Sequence, residues 1–475
     1  MNKCILGIDL GTSSVKVLVR YFDGNIVKAS AGYEEISVGG WINAMTKALR
    51  QIDCQSVAAI GFSSQVGTYI VRSRIKDECE NTQQNFREDI IGWKDAVGEK
   101  ELKRLKEKYN REDFIAHIAM PHPDIISYPL PRLLYIKEHY PNLQSICQPK
   151  DMLIQFLTGN LVTDQYSWRG LADPEKAVYS NFFLKELEIE ESMLPTIKRP
   201  HELAGYVTEE AAGTTGLPAG VPVYVGMNDF FASLAGMGMM DNFKLFDITG
   251  TSEHVGVLTD GLQEDTSMVS GKYLTGYVHY GVTASSGVSL TFGYKELGSV
   301  EAPIHEMLKR NPPIFTPYLN GERAPIFDSN ATGTFFGIGP ECNREDLAYA
   351  VMEGVTFSLY HIYENLGVAD IKRMIVSGGA SKNSYLNQLK ADVFGKEVVT
   401  LKENDTSALG AVMTAAVGMG ICGDFNQAAK EYCQNNESYQ PDRSVHETLM
   451  KRYHIYKQLY PALKEQSKEF KRRQL

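Results

Sequence analysis

Two stretches of the chain place a carboxylate on an apolar strand shortly before a turn rich in glycine and hydroxyl groups. The first is IDLGTS at residues 8–13, and the second is FDITGTS at residues 246–252. Backbone N–H groups in such turns form a concave site for anionic oxygens, and the hydroxyls add donors. A carboxylate beside bound phosphates, here Asp9, can hold Mg²⁺ through water. The pattern predicts a polyphosphate such as ATP, bound without the GxxxxGK[ST] loop, which the chain lacks.

A third acid, Asp229, stands in GMND at residues 226–229, between an apolar strand and a helix of small residues. A carboxylate there can accept the proton of a substrate hydroxyl while that hydroxyl attacks the γ-phosphorus. The helix start is expected to lower the pKa of Asp229 and keep it ionised. The alternative is that Asp229 only caps the helix, and these residues alone do not choose between the two roles.

A glycine pair, Gly378 and Gly379, joins the apolar strand 374–377 to a predicted helix. Glycines let a flat or anionic ligand approach the backbone closely at a helix N-terminus. Such a pair also serves ordinary strand-to-helix turns, so the motif alone is a weak signal for a nucleotide site.

The elements that must position these residues begin with a run of strands. Residues 4–9, 15–21 and 26–31 predict three strands joined by turns, followed by a helix at 40–51 and a buried strand at 57–62. The first phosphate turn therefore lies within a β-hairpin near the start of the chain.

The second hairpin repeats the plan of the first, since Asp9 and Asp247 lie 238 positions apart, half the chain. A similarity of such long period predicts two related domains, each starting with the same hairpin. The predicted division gives an N-terminal domain over 1–242 and a C-terminal domain over 243–475. The alternative is a chance likeness, because glycine, threonine and serine are common in turns.

The composition excludes several classes of protein. The 475 residues are too many for one ordinary core, and 58 acidic against 48 basic residues argue against a nucleic-acid partner. Seven scattered cysteines without paired spacing predict reduced thiols rather than disulfides or zinc. No apolar run predicts a membrane span, and the first one is not typical of a signal peptide. We therefore expect a cytoplasmic protein without a membrane partner.

Taken together, the motifs resemble one family, the FGGY carbohydrate kinases, from residue 5 to about residue 420. GIDLGTSSVK at 7–16 resembles its first phosphate motif, and FDITGTSEHV at 246–255 resembles the second. The stretch 376–398 is similar to the adenosine motif, and 317–338 fits the long C-terminal pattern. The resemblance implies an α/β protein of two ribonuclease-H-like (actin-like ATPase) domains around a central cleft.

The resemblance also implies roles for individual residues. Asp229 matches the catalytic base, and Asp9 matches the carboxylate near Mg²⁺. The residues that match the family's binding positions are Gly11, Thr12, Ser13, Gly250 and Thr251 for the phosphates, Gly378, Gly379 and Asn383 for the adenosine, and Gln65, Trp93, Asp95 and Asn228 for the sugar.

The implied function is an ATP-dependent carbohydrate kinase that acts on a small sugar, a ketopentose such as xylulose. The alternatives are a gluconate or polyol kinase, or a nucleotide-binding regulator without kinase activity, and a homodimer is left open. The chain departs from the family in the sugar region. Val97 replaces a common arginine, and residues 65–68 read Gln-Val-Gly-Thr where xylulose kinases commonly carry Gln-Met-His-Gly.

Overall fold

The computed structural model describes residues 3–74, 86–120, 125–263, 268–274, 276–368 and 370–473. The helices are α1 (Val38–Leu49), α2 (Glu99–Lys108), α3 (Arg111–Ile118), α4 (Pro129–His139), α5 (Pro149–Thr158), α6 (Asn181–Leu187), α7 (Glu209–Thr215), α8 (Asp229–Gly236), α9 (Ser286–Phe292), α10 (Ile304–Arg310), α11 (Arg344–Asn365), α12 (Ser384–Phe394), α13 (Thr406–Gly418), α14 (Phe425–Tyr432) and α15 (Arg443–Arg473). 

The strands alternate with these helices along the chain. They are β1 (Cys4–Leu10), β2 (Ser14–Tyr21), β3 (Ile26–Gly32), β4 (Val57–Ser64), β5 (Tyr69–Arg74), β6 (Phe86–Ile91), β7 (Leu143–Cys147), β8 (Val162–Asp164), β9 (Ala172–Asp173), β10 (Val178–Tyr179), β11 (Thr196–Lys198), β12 (Leu203–Tyr206), β13 (Pro222–Tyr224), β14 (Met227–Asn228), β15 (Lys244–Thr249), β16 (His254–Thr259), β17 (Val269–Tyr273), β18 (Gly276–Val282), β19 (Ile314–Thr316), β20 (Thr334–Phe336), β21 (Arg373–Gly378), β22 (Glu397–Leu401) and β23 (Asn435–Tyr439). The predicted strand meander, α1 and β4 are confirmed with small shifts at their ends.

The chain divides into two compact units. The first unit comprises Met1–Gly238, Lys272–Leu274 and Asp405–Tyr432, and the second comprises the remaining segments. The division into domains at residue 242 stays a prediction. The structure adds that Asp405–Tyr432, with α13 and α14, lies in the first unit although it follows most of the second unit in sequence.

The first unit is built on a sheet of strand order β12-β13-β4-β1-β2-β3, with β14 also pairing with β4. β1, β2 and β3 pair antiparallel, while β4 joins β1 in parallel and β13 joins β4 in parallel. β1 is buried along its whole length, because a central strand covered on both faces carries apolar residues on both.

The second unit repeats this arrangement. Its sheet has the strand order β17-β18-β16-β15-β21-β22-β23. β15 pairs antiparallel with β16 and in parallel with β21, as β1 pairs with β2 and β4. The shared topology supports the inference from the two hairpins that the halves of the chain are related.

The first unit also contains a lobe with its own core, which we call the accessory lobe. It holds the sheet β6-β5-β7 and the helices α2, α3, α4 and α6. Buried aromatic residues form much of its core, among them Tyr69, Phe114, Trp168 and Phe183. The turn that carries Trp93 and directly follows β6 belongs to this lobe.

Helix α13 packs onto the central sheet of the first unit at backbone distance. A Cβ at Gly61 on β4 would lie 1.9 Å from the carbonyl O of Ala411, and a Cβ at Gly410 would lie 2.0 Å from that of Ala232 on α8. Only glycine permits such an approach, so these two positions fix α13 between the sheet and α8. This packing explains why Asp405–Tyr432 belongs to the first unit.

Over the described ranges, the structure contains no helix that is both long and apolar enough to cross a lipid bilayer.

Candidate functional site

Three neighbouring parallel strands of the first unit end at one edge of its sheet. Asp9 lies near the end of β1, Ser64 on β4 is in register with Asn228 on β14, Gln65 follows β4, and Asp229 follows β14. Ligands of open α/β sheets bind outside the carboxyl ends of parallel strands. The structure thus brings four predicted site residues, Asp9, Gln65, Asn228 and Asp229, to one edge.

Asp9 is buried and held by two serine hydroxyls. Ser63 Oγ donates to its Oδ1 at 2.8 Å, and Ser407 Oγ on α13 donates to its Oδ2 at 2.7 Å. Burial raises the pKa of Asp9, although both serine hydrogen bonds act to lower it. The carboxylate is therefore fixed in orientation at the strand end.

The cap of α8 is Asn228 and not Asp229. Asn228 Oδ1 accepts the N–H of Phe231 at 2.9 Å, and Asn228 Nδ2 donates to the carbonyl O of Tyr166 at 3.0 Å. Both polar atoms of the Asn228 side chain are thus engaged within the protein. Asp229 is the first residue of the helix, and its Oδ1 accepts the N–H of Phe230 at 2.8 Å. The capping interpretation of Asp229 is wrong, whereas its role as a base stays a prediction.

The expected fall in the pKa of Asp229 is also wrong. Burial and, to a smaller extent, the nearby charge of Asp9 raise the pKa of Asp229 to about 7. Hydrogen bonds from backbone N–H groups at the helix start lower the pKa, but the loss of solvation outweighs them. A carboxyl with a pKa near neutrality is suited to accept a proton and later release it.

The first predicted phosphate turn is tied to the start of β2 and to Tyr33, the residue that follows β3. Gly11 N donates to the carbonyl O of Ser14 at 3.0 Å, and Tyr33 Oη donates to the carbonyl O of Gly11 at 2.6 Å. The side chains of Thr12 and Ser13 are exposed. The turn is thus fixed through its backbone while its hydroxyls face solvent.

Two predicted sugar residues, Trp93 and Asp95, lie on an exposed turn of the accessory lobe. Asp95 Oδ2 accepts the N–H of Gly92 at 2.7 Å. The N–H of Trp93 donates to Thr68 Oγ1 at 3.3 Å, which links the turn to the segment that contains Gln65. These two residues are connected to the strand edge through Thr68 rather than lying on it.

A buried ion pair near this edge was not predicted from the sequence. Lys150 Nζ lies 3.0 Å from Asp164 Oδ2 and donates to the carbonyl O of Val225 at 3.0 Å. Asp164 also accepts the N–H groups of Tyr166 and Ser167. Since Tyr166 in turn accepts from Asn228, this pair supports the segment that leads into α8. Nothing in the sequence around Asp164 indicates a buried partner 14 residues earlier.

In the second unit, a cavity of about 870 Å³ is lined by four of the five nucleotide residues predicted in that half of the chain. Gly250 and Thr251 of the hairpin turn line it, together with Gly379 and Asn383. The N–H of Gly287 donates to the carbonyl O of Thr251 at 3.2 Å, which places the start of α9 against this turn. The cavity has the size of a typical small-molecule site.

Two details of this cavity differ from the sequence analysis. Gly378 does not line it, because Gly378 lies against β15, where a Cβ would be 2.2 Å from the carbonyl O of Thr249. Tyr294 does line it, and its hydroxyl accepts a hydrogen bond from Asn383 Nδ2. Tyr294 carries no motif, so only the tertiary structure reveals it.

Asp247 does not occupy the position of Asp9. Asp9 precedes its turn glycine by two residues and Asp247 precedes Gly250 by three, and alternate residues of a strand face opposite sides of a sheet. Asp247 is therefore fully buried, with its Oδ2 2.5 Å from Lys390 Nζ, which also lies 2.6 Å from Glu253 Oε1. We call these three residues the buried triad.

The chain is similar over nearly its whole length to known carbohydrate kinases. The family model "FGGY family of carbohydrate kinases, N-terminal domain" matches residues 4–236, and its C-terminal counterpart matches residues 247–419. A xylulose kinase of Staphylococcus xylosus is 27% identical, with 96% of this chain and 99% of that protein covered.

Solved structures agree with this assignment. A ligand-bound xylulose kinase from Lactobacillus acidophilus has a TM-score of 0.83 at 25% identity, covering 98% of this chain and all of that one. A gluconate kinase from the same organism has a TM-score of 0.84 at 24% identity, covering 99% of this chain and all of that one. The predicted two-domain α/β fold of the actin-like ATPase type is confirmed. The chain belongs to the FGGY family of carbohydrate kinases, phosphotransferases that use ATP and an alcohol group of a sugar as acceptor.

Proposed function

We propose that this kinase phosphorylates a ketopentose of the xylulose type, with Asp229 as the catalytic base. The observation that carries the proposal is the Asp229 carboxylate, which lies at the edge that also holds Asp9 and Gln65 and has a pKa of about 7. The names of the relatives support the acceptor, since proteins of Staphylococcus xylosus and Lactococcus lactis that are 27% and 28% identical are xylulose kinases.

In the proposed reaction, Asp229 accepts the proton of the acceptor hydroxyl as its oxygen forms a bond to the γ-phosphorus. The bond between that phosphorus and the bridging oxygen breaks, and ADP leaves with the electron pair. Gln65 at the strand edge contributes to the acceptor site, together with Trp93 and Asp95 on the turn of the accessory lobe. Asn228 acts by fixing the start of α8, because its side chain is fully engaged in the protein.

The nucleotide is assigned to two groups of residues. The backbone and hydroxyls of Gly11, Thr12 and Ser13 bind phosphate oxygens from the first unit. In the second unit, Gly250 and Thr251 bind phosphate, while Gly379 and Asn383 bind the adenosine at the cavity wall. Gly378 supports this wall by letting β21 approach β15.

Asp9 is the proposed contact to Mg²⁺. The residues fit a hard divalent cation, because two buried acids lie near each other. The charge of Asp9 raises the pKa of Asp229, and a cation that prefers carboxylate oxygens would relieve this repulsion. Both Asp9 oxygens already accept serine hydroxyls, so contact through water is the arrangement that leaves these bonds in place. When bound with ATP, Mg²⁺ would neutralise charge on the phosphates.

The acceptor is tested by ADP release across ketoses, aldoses, polyols and sugar acids at fixed ATP. We expect the ketopentoses to give the highest kcat/KM. Gluconate is the second candidate, favoured by the gluconate kinase fold neighbour and by the absence of the histidine at 65–68. A gluconate rate above that of every ketopentose would replace the first assignment, and no rate above ATP alone for any acceptor would contradict both.

The activity should rise with pH through about 7. A protonated Asp229 cannot accept a proton, and its pKa is raised to about 7. Below that pH we expect kcat/KM for the acceptor to fall about tenfold per pH unit. The profile is measured between pH 5 and 9. Enzyme held at pH 5 and assayed at pH 8 serves as the control for irreversible loss. A flat profile down to pH 5 would refute the assignment of Asp229.

We propose the cytoplasm as the location, because no cysteine among the described residues forms a disulfide and reduced thiols are typical of that compartment. Thiol titration of the native enzyme from cells tests this, and disulfides would contradict it.

A homodimer is tested by light scattering of the purified protein.

A further inference from the structure

Arg132 on α4 has an unusual environment in the accessory lobe. Its side chain is completely buried, and its Nη2 donates to the carbonyl oxygens of Asp95 at 2.9 Å and Gly92 at 3.2 Å. The same nitrogen lies 3.5 Å from the carbonyl O of Trp93. Nε donates to the carbonyl O of Ile126 at 3.1 Å. One guanidinium thus binds three carbonyls of a single exposed turn, residues 92–95.

This arrangement is costly for the stability of the fold. Within the part of the chain that the structure describes, no carboxylate forms an ion pair with Arg132, and its Nη1 is buried without a hydrogen-bond partner. Burial lowers the pKa of Arg132, although the nearby charge of Asp95 acts to raise it. A buried charge without a counter-ion is destabilising unless its hydrogen bonds compensate. The bonds to the turn are therefore what this side chain contributes.

The turn carries the two exposed sugar residues of the proposed site, and a second bond fixes it from the other side. The N–H of Trp93 donates to Thr68 Oγ1, three residues after Gln65. Trp93 itself is 38% exposed to solvent. Arg132 and Thr68 therefore hold the turn from two sides, in addition to the turn's own hydrogen bond from Gly92 N to Asp95 Oδ2.

We propose that Arg132 is a positioning residue for the acceptor site and holds the 92–95 turn in its binding conformation. Only the expected effect on kinetics rests on the proposed function. The planar guanidinium suits the task, since it bonds several carbonyls from one rigid group, whereas a lysine ammonium is a single point charge on a flexible stem. Order in the turn before binding removes the cost of ordering it on binding.

The test compares Arg132→Met and Arg132→Lys with the parent enzyme. Without the guanidinium we expect the acceptor KM to rise about tenfold, because binding must then order the side chains of Trp93 and Asp95. The ATP KM should change less than about twofold and kcat less than about threefold. The reason is that the turn binds the acceptor equally in the ground state and the transition state, so its disorder weakens acceptor binding without slowing the chemical step. Arg132→Lys should fall between the parent and Arg132→Met. An equal rise in both KM values would indicate a general structural role and overturn the proposal.

A second readout needs no substrate. The chain has three tryptophans, and Trp41 and Trp168 are completely buried, so acrylamide quenching of fluorescence reports Trp93. Quenching should increase in Arg132→Met and should not increase when Trp93→Phe is also present. Unchanged quenching in a folded Arg132→Met variant would refute the proposal.

Two further variants keep the test decisive. If Arg132→Met does not fold, by far-UV circular dichroism, Arg132→Lys is compared with Thr68→Val, which removes the other bond to the turn. Both should raise Trp93 quenching and the acceptor KM, and a parent-like result in both would overturn the proposal. If no acceptor is found, the proposed function fails, while the quenching result still supports or refutes the role of Arg132.

Discussion

Replacing Asp229 with asparagine is expected to lower kcat by about a thousandfold, within the usual contribution of a general base. The amide cannot accept the proton of the attacking hydroxyl, and the other acid of the described strand edge, Asp9, is held in place by Ser63 and Ser407. The acceptor KM should change little, because asparagine preserves the size of the side chain. Steady-state ADP release with the preferred acceptor measures the effect.

The fold should survive this substitution. Asn228 caps α8 without help from Asp229, and the amide removes a buried like charge beside Asp9. We therefore expect the Tm of Asp229→Asn to equal or exceed that of the parent. Asp229→Glu is the matched control, which keeps the carboxylate on a longer side chain and should retain part of kcat. A kcat of Asp229→Asn within tenfold of the parent, with its Tm unchanged, would rule out Asp229 as the base.

Replacing Lys390 with methionine is expected to lower the free energy of unfolding of the second unit by about 3–5 kcal/mol. The ammonium is completely buried between Asp247 and Glu253. Its removal leaves two acids without a counter-charge, although burial and the charge of Glu253 already raise the pKa of Asp247 well above its usual range. Urea unfolding followed by far-UV circular dichroism gives the change.

The buried triad supplies its own controls. Asp247→Asn leaves one ammonium and one carboxylate, so its loss of stability should be well below that of Lys390→Met. Removing all three charges with Lys390→Met, Asp247→Asn and Glu253→Gln should recover part of the stability lost in Lys390→Met alone. If Lys390→Met unfolds at the urea concentration of the parent, the triad does not stabilise the second unit.

The sequence predicts the strands of the first hairpin well, because they are apolar runs bounded by strong turn residues. The comparison of Asp9 with Asp247 shows the limit of such reasoning. The two motifs read alike, yet one additional residue before Gly250 changes the face of the sheet on which the acid lies. A one-residue shift inverts every side chain of a strand, and only the buried partner Lys390, 143 residues later, makes the consequence visible.

The candidate site likewise has features that the sequence predicts and features that it does not. Asp229 could be selected as a candidate base from its place between a strand and a helix, although that place did not distinguish a base from a helix cap. Its pKa could not be predicted, since burial is a property of the tertiary structure. The role of Arg132 in fixing the 92–95 turn was equally hidden, because its partners are backbone carbonyls that any sequence would supply. Local geometry was predictable, and the solvation of charges was not.

The return of the chain to the first unit has a consequence for biosynthesis. Ser407, which holds Asp9, is made 398 residues after it, and α13 with it. At ribosomal rates of about 5–20 residues per second, that interval lasts roughly 20–80 s. During this time the nascent first unit lacks the helix that covers Gly61 on its central sheet. Chaperones that bind apolar surface therefore have a defined period in which to protect the growing chain.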